Sequence, residues 1–306
     1  MALCLVTGGA GFIGSHLVEA LLARGDRVRI LDNFSTGQRA NLAQAAGQFE
    51  LVEGDLRDPG PAQEAMREVD CIFHMGALVS VPQSMADPLS AEAINAAGTL
   101  NLLMAAQKAK VRRLVFSSTC AVYGDEPTLP KLESMAPTPR SPYAVAKLAG
   151  EGYCHVFNVA FGLETVVLRY FNVYGRAKTP RRLTPGDFIF VDRISRGHAP
   201  TIFGDGEQTR DFVYVSDVVQ ANLRAGEVPA AAGQIFNIGG GQPVTIKQLF
   251  QQLNNLLQAG LEPKYAPVRQ GDIQHSYADP SQAANVLNWR AEVSLEEGLR
   301  RLVASL

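Results

Sequence analysis

The sequence predicts an α/β fold, a doubly wound parallel sheet with a smaller α/β C-terminal lobe, and three observations predict it. Short unalternating apolar runs recur through the first half, at Leu3 to Val6, Val28 to Leu31, Leu51 to Val52, Cys71 to Phe73, Leu114 to Phe116 and Val166 to Leu168. Such runs suit parallel strands covered on both faces. Between them lie helical stretches, among them Ser15 to Arg24, Ala91 to Ala109 and Pro142 to Phe161, each long enough for a right-handed crossover. A glycine-rich turn, Thr7-Gly8-Gly9-Ala10-Gly11-Phe12-Ile13-Gly14, follows the first strand and opens a helix. Together these describe a sheet of Rossmann type.

After about residue 170 the chain changes to loops rich in Gly, Pro and Arg with short helices, two of which open on capping-box signatures at Thr245 to Gln248 and Ser294 to Glu297. Residues 1–170 are therefore expected to form the nucleotide-binding domain, and residues 171–209 with 239–306 the smaller lobe. The segment Arg210 to Val215, the helix after it and the strand Ile235 to Ile238 are expected to return to the first domain, so that 210–238 is interleaved.

A chain of 306 residues with 46% hydrophobic content can bury a substantial core. The formal net charge of -2 and the interspersed charges provide no basic stripe for nucleic acid, and no apolar run of 18 residues could span a membrane. The N-terminus enters a strand at once without the features of a signal peptide, which predicts a cytoplasmic protein. Cys4, Cys71, Cys120 and Cys154 lack Cys-x-x-Cys spacing, and His74, His155, His198 and His275 lack metal-ligand spacing, so neither a disulfide framework nor a metal is expected. Cys120 has no histidine-containing activating set in view, and packing is its better account.

Within the glycine turn, Gly8 or Gly9 permits the bend, Gly11 lets the backbone approach a pyrophosphate, and Gly14 lets helix and strand pack closely. The amides at the helix start would hold the anion. Such a motif alone is often only a tight turn. Here Asp32 ends the next strand 18 residues after Gly14, where a carboxylate can grip two ribose hydroxyls. An acid there repels a 2'-phosphate, so NAD is expected rather than NADP, with Arg39 as the opposing feature. Asp55-Leu56, after the third strand, is placed to flank an adenine.

The second site begins where a strand ends in Phe116-Ser117-Ser118-Thr119, before Val122-Tyr123-Gly124. Tyr143 and Lys147 lie four apart in a helix that Ser141 can cap and Pro142 can open, so an ammonium stands beside a phenol near the helix's positive end. A phenol that normally titrates near ~10 is then expected to act as a base near neutrality. A hydroxyl, a tyrosine and a lysine form a proton-transfer set that works with hydride transfer to a nicotinamide.

At these motifs the chain resembles the extended short-chain dehydrogenase/reductase family, and within it the nucleotide-sugar epimerases typified by UDP-glucose 4-epimerase. The resemblance runs essentially end to end. It rests on Thr7 to Gly14, Asp55-Leu56, Ser117 to Thr119 with Val122-Tyr123-Gly124, Tyr143 with Lys147, Leu168 to Asn172, Ile202-Phe203-Gly204 through Arg210-Asp211, and Arg269 to Asp272. It implies that Tyr143 takes the proton from the sugar 4-hydroxyl while hydride passes from C4 to tightly held NAD. The 4-keto sugar then turns within the site and takes the hydride back on its other face. Thr119 would hydrogen-bond the reacting oxygen, and Lys147 would bind the nicotinamide ribose and hold down the tyrosine pKa. The implied cofactor set is Gly8, Gly11, Phe12, Ile13, Gly14, Asp32, Asn33, Asp55, Leu56, Ser117, Tyr143, Lys147 and Tyr170. Asn172, Arg210, Arg269 and Asp272 would hold diphosphate, sugar or uridine ribose, and Phe203 would pack on the uracil. Two arginines suit a buried diphosphate through charge-assisted bonds.

The related dehydratases carry Asp-Glu directly after the threonine, and the decarboxylases a glutamate in that neighbourhood, whereas this chain has Cys120-Ala121. The resemblance further implies that the residue at Ser276 gates the space beside the sugar's C2 group. A small side chain there admits an N-acetyl group, which Ser80 would contact. UDP-N-acetylglucosamine and UDP-N-acetylgalactosamine are thus expected beside UDP-glucose and UDP-galactose. Lys178, amid Arg176, Arg181 and Arg182, is either a solvated cation or a partner for a uronate carboxylate, which leaves a UDP-uronate 4-epimerase as an alternative. Asn172 weakens that alternative. A non-catalytic NAD-binding sensor or scaffold is the other alternative, since fold alone never proves function. The family also implies a homodimer through Ala91 to Ala109 and Pro142 to Phe161.

Overall fold

Strand β1 (Leu3–Thr7) sends Leu3 and Leu5 to one face of a sheet and Cys4 and Val6 to the other, and both faces are covered. The strands that join it are β2 (Arg27–Asp32), β3 (Phe49–Glu53), β4 (Cys71–His74), β5 (Arg113–Thr119) and β6 (Glu164–Tyr170). A later strand, Ile235–Ile238, completes a seven-stranded parallel sheet beside β6. The strand order reverses between β1 and β4, so the carboxyl ends of these two strands open a crevice. The computed structural model on which this description rests covers residues 2–176, 178, 188–268 and 273–306.

Helix α1 (Phe12–Ala23) and the helix Val215–Glu227 cover one face through Leu17, Val18, Leu21, Val218 and Val219. On the other face lie α2 (Pro59–Ala65), the helix Gly98–Lys108 and the helix Pro142–Phe161, through Ala62, Leu102, Leu103, Cys154 and Phe157. Each fully buried Leu, Ile or Phe side chain contributes about 1.5–3 kcal/mol. Helix Pro142–Phe161 has the predicted ends: Ser141 accepts from Ala144 N, Pro142 stands first, and Gly162 closes it in the left-handed conformation at φ 70°. A Cβ on Gly150 would stand 2.5 Å from the Phe116 ring, so this glycine lets the helix lie against β5.

The smaller lobe has a three-stranded sheet of Asn172–Tyr174, Thr209–Tyr214 and Pro243–Thr245, and a two-stranded one of Thr201–Phe203 and Lys264–Ala266. Its core gathers Phe190, Ile202, Phe212, Leu249, Leu253 and Leu299. The expectation that 210–238 returns whole to the large sheet is corrected here. Strand Thr209–Tyr214 pairs with Asn172–Tyr174 and Pro243–Thr245, whereas the following helix and Ile235–Ile238 do join the large sheet's layers. Of the two capping boxes, that at Thr245 forms fully. At Ser294 only the outer half forms, because the Glu297 side chain is drawn to Arg301.

Candidate active site

The crevice begins at the glycine turn. Gly8 takes φ +65°, and a Cβ there would stand 2.7 Å from the Gly76 backbone. Gly14 is tighter still, with its would-be Cβ 2.2 Å from Gly8 O, so only glycine lets α1 seat on the loop. Gly11 precedes the helix in extended conformation; no side chain caps α1 and no acid stands in its first turn. That positive helix end suits an anionic pyrophosphate. Ile13 packs on the sheet core, and Phe12 packs on the smaller lobe and lies edge-on to His16 at 5.7 Å.

Asp32 is buried, with Oδ2 accepting 2.8 Å from Ala10 N and Oδ1 accepting 2.8 Å from Phe34 N. It therefore braces the glycine turn as well as ending β2, a role that its position in the sequence did not reveal. Burial raises its pKa despite the two amides. Asn33 Nδ2 donates 2.7 Å to Asp55 Oδ2, and Arg57 grips Asp55 through Nε and Nη2, holding that carboxyl well below the usual range. Leu56 is buried against Gly76 and Gly98. Arg39, the feature that favoured NADP, is paired with Glu53 and lies 4.2 Å over the Phe34 ring. The uncapped helix start, the glycine cradle and the Asp32 carboxylate together fit NAD.

At the carboxyl ends of β1 and β4 lies a buried clasp centred on His74. Thr99 Oγ1 donates to Asn95 O, so it accepts from His74 Nε2 at 2.9 Å; Nδ1 then accepts from the Thr7 hydroxyl at 2.7 Å. Asn95 in turn holds both backbone groups of Leu78 at 2.8 and 2.9 Å. Burial, helped by the Lys147 charge, lowers His74 to about 3, so the ring is neutral. Asn95 sits in a π-helical turn, Ala93–Ala97, of a kind common at functional sites. Among single residues in the sequence, nothing marked this clasp.

Thr119 ends β5 and its Oγ1 accepts from Ala121 N at 3.1 Å. Thr119 lies beside the Tyr143 phenol and acts to lower its pKa, so the structure brings these two side chains together. Burial nevertheless pushes the Tyr143 phenol up to about 12, with Thr119 opposing it. The expected low phenol pKa is thus corrected: desolvation is the largest influence on the phenol. Lys147 is buried with its ammonium 4.5 Å over the Phe116 ring, and burial lowers its pKa to about 8 against the pull of Cys154 and Glu151. Ser117 Oγ donates 2.8 Å to His74 O, and the Tyr170 hydroxyl donates 2.9 Å to Asn222 Oδ1. Both side chains expected at the cofactor are committed to the framework.

On the substrate side, Ser80 accepts from Gln83 N at 3.2 Å and caps the helix Val81–Ala86. Asn172 opens the strand that pairs with Phe212, and Phe203 ends the strand before Gly204 at φ +76°. Arg210 Nη1 donates 2.8 Å to Thr209 O. Ser276 is buried beside the Cys120 thiol, which burial pushes up to about 11 although Arg210 and Ser276 lower it. The thiol thus packs in the site wall. Asp211, whose role the sequence left open, accepts from Gly240 N, Gly241 N and Ala278 N at 2.7, 3.0 and 2.9 Å and so anchors the segment that carries Ser276. Arg181, Arg182, Arg269 and Asp272 lie outside the described residues. Lys178 is neither solvated nor set for a carboxylate of the sugar: its ammonium pairs with Glu19 at 2.6 Å and donates 2.9 Å to Ser15 O on α1.

Residues 4–239 match the model of the NAD dependent epimerase/dehydratase family. The UDP-glucose 4-epimerase of Mycolicibacterium smegmatis is 40% identical over 98% of this chain and 96% of its own. The fold superposes on the UDP-glucose 4-epimerase of Thermotoga maritima solved with UDP-glucose, with a TM-score of 0.94 and 39% identity over 99% of this chain and 98% of that one. It also superposes on the UDP-N-acetylglucosamine 4-epimerase of Methanobrevibacter ruminantium, with a TM-score of 0.92 and 36% identity over 99% and 97%. Sequence, fold and site agree, and the chain belongs to the NAD dependent epimerase/dehydratase family.

Proposed function

We propose that the protein inverts C4 of UDP-hexoses with NAD as cofactor, acting on UDP-glucose and UDP-galactose and also on UDP-N-acetylglucosamine and UDP-N-acetylgalactosamine. The observation that carries this reading is the meeting of Thr119, at the carboxyl end of β5 two strands from the glycine turn, with Tyr143 and Lys147 in the first turns of helix Pro142–Phe161. Gly8, Gly11, Gly14, Asp32, Asn33, Asp55 and Lys147 would hold NAD, which when bound supplies a hydride acceptor for C4 and returns the hydride. Tyr143 takes the 4-hydroxyl proton at its phenolic oxygen and gives it back at the same atom, so no net proton leaves the site. Thr119, beside that phenol, orients the reacting oxygen. The Lys147 ammonium supplies positive charge in a site where burial otherwise opposes a phenolate. Arg210, with Arg269, suits the diphosphate, and Phe203 the uracil.

The substrate range rests on Ser276, whose small side chain leaves room beside the sugar. Lys178, held by Glu19 and Ser15, gives no support to a uronate substrate. A homodimer belongs to the same reading: Met85, Leu89, Met104, Val145, Val156 and Val159 are exposed on the helices that flank the site, with Leu89 82% exposed. Light scattering showing a monomer at working concentrations would remove it. A cytoplasmic location is supported by the four free cysteines, and no helix among the described residues is long and apolar enough to cross a membrane.

The test is incubation of the protein with UDP-glucose, UDP-N-acetylglucosamine and UDP-glucuronate separately, without added reductant, following the C4 epimer by proton NMR. Epimers of the first two are expected. Tyr143→Phe should lower turnover roughly 1,000-fold with UDP-sugar binding retained. No epimer from any of the three, with NAD confirmed bound, would overturn the reading.

A further inference from the structure

Behind the residues placed to touch substrate stands a second polar group. Glu151 lies one turn past Lys147, as Lys147 lies one turn past Tyr143, so the three share one face of helix Pro142–Phe161. Glu151 Oε2 accepts from Arg169 Nη2 at 2.7 Å; Oε1 accepts from Arg169 Nε at 3.0 Å and from Ser118 Oγ. All three side chains are buried. Ser118 stands between Ser117 and Thr119 on β5, and Arg169 precedes Tyr170 on β6, three residues ahead of Asn172. One carboxylate therefore ties together the three elements that carry or lead to Thr119, Tyr143, Lys147 and Asn172. The Lys147 ammonium is faced by Glu151 and Cys154 from its own helix, by the neutral His74 from β4 and by the uncharged Phe116 ring from β5.

A buried ion pair is a poor source of stability, because the cost of desolvating both charges offsets their attraction, and apolar side chains of similar size often serve as well. Its bidentate geometry instead fixes position. We propose that Glu151, clasped by Arg169 and Ser118, is a positioning residue of the epimerisation: it holds the helix bearing Tyr143 and Lys147 at a fixed distance from the strand bearing Thr119. Glu151 itself touches neither substrate nor cofactor. This role rests on the reading of Tyr143 and Lys147 as catalytic.

Glu151→Gln keeps the shape and an acceptor for Ser118 but removes the charge. Turnover is expected to fall roughly 100-fold, the loss typical of catalytic groups misplaced by about 1 Å. KM for UDP-glucose should stay within about threefold, and the alkaline limb of the turnover-pH profile should move down by about one pH unit as the helix loses the buried carboxylate one turn from Lys147. Since this variant leaves the Arg169 guanidinium buried without its partner, Glu151→Leu combined with Arg169→Met serves as the second variant, exchanging the pair for apolar side chains that fill the space. The same limb shift and loss of turnover are expected of it. A folded double variant with wild-type turnover and an unmoved alkaline limb would show that the pair is only structural and overturn the proposal. Tyr143→Phe, assayed alongside, separates the two claims: if it retains turnover the catalytic reading fails, and if it is inactive while the Glu151 variants behave as wild type, the positioning role alone fails.

Discussion

Gly14→Ala tests whether the glycine turn is a dinucleotide cradle. The added methyl would stand 2.2 Å from Gly8 O and 2.9 Å from Gly8 C and Gly9 Cα, all of them backbone atoms that have no rotamer to escape into. To regain ordinary contact, α1 must lift from the loop by on the order of 1 Å. Overpacking of this kind costs about 1–3 kcal/mol, and alanine's better helix propensity offsets about 1 kcal/mol of it. Net stability should therefore fall by up to about 2 kcal/mol. Binding suffers more, because the first-turn amides move with the helix, and each charged hydrogen bond lost is worth about 1.5–3 kcal/mol. Affinity for NAD should drop roughly 10- to 100-fold for one bond. Calorimetric titration with NAD and thermal unfolding with and without it measure both effects. Gly152→Ala is the control: this glycine is exposed in helix Pro142–Phe161 and its Cβ would meet nothing within 4 Å, so stability should rise by about 0.5–1 kcal/mol with NAD binding unchanged. If Gly14→Ala bound NAD as the wild type does, the turn would not be the cradle.

Ser276→Tyr should fill the space beside the Cys120 thiol, lowering kcat/KM for UDP-N-acetylglucosamine at least about 10-fold relative to UDP-glucose; an unchanged ratio would place the sugar's C2 group elsewhere. Asp211 supplies a pH signature. Burial raises its carboxyl from 3.8 to about 6 against three amide donors, so its contribution to stability is full below 3.8 and is lost as pH rises through 6. The change amounts to at most about 3 kcal/mol. The difference in urea unfolding free energy between Asp211→Asn and wild type should therefore move toward the variant by up to about that amount between pH 4 and pH 7. A difference independent of pH would mean that the carboxyl is not desolvated.

What could be read from the sequence was set by contacts between near neighbours. The glycine turn, the cap at Ser141, the proline at the first helical position and the glycine that closes the helix are local rules, and they placed Tyr143 and Lys147 on one helix face. The parallel sheet followed from apolar runs that alternate with crossover helices. What the tertiary structure alone decided depends on burial and on partners far apart in the chain. The phenol is pushed up because the helix face that carries it is covered, a fact invisible in a spacing of four. Asp32 is spent partly on Ala10, Arg39 on Glu53 and Lys178 on Glu19, pairings that no local pattern announces. Glu151 was within reach as the next step of the Tyr143 to Lys147 ladder, but its meaning required Arg169 and Ser118, which come beside it only when β5 and β6 pair. Strand Thr209–Tyr214 went to the small sheet because Asn172–Tyr174 and Pro243–Thr245 were there to satisfy its backbone, a choice made in space and not along the chain.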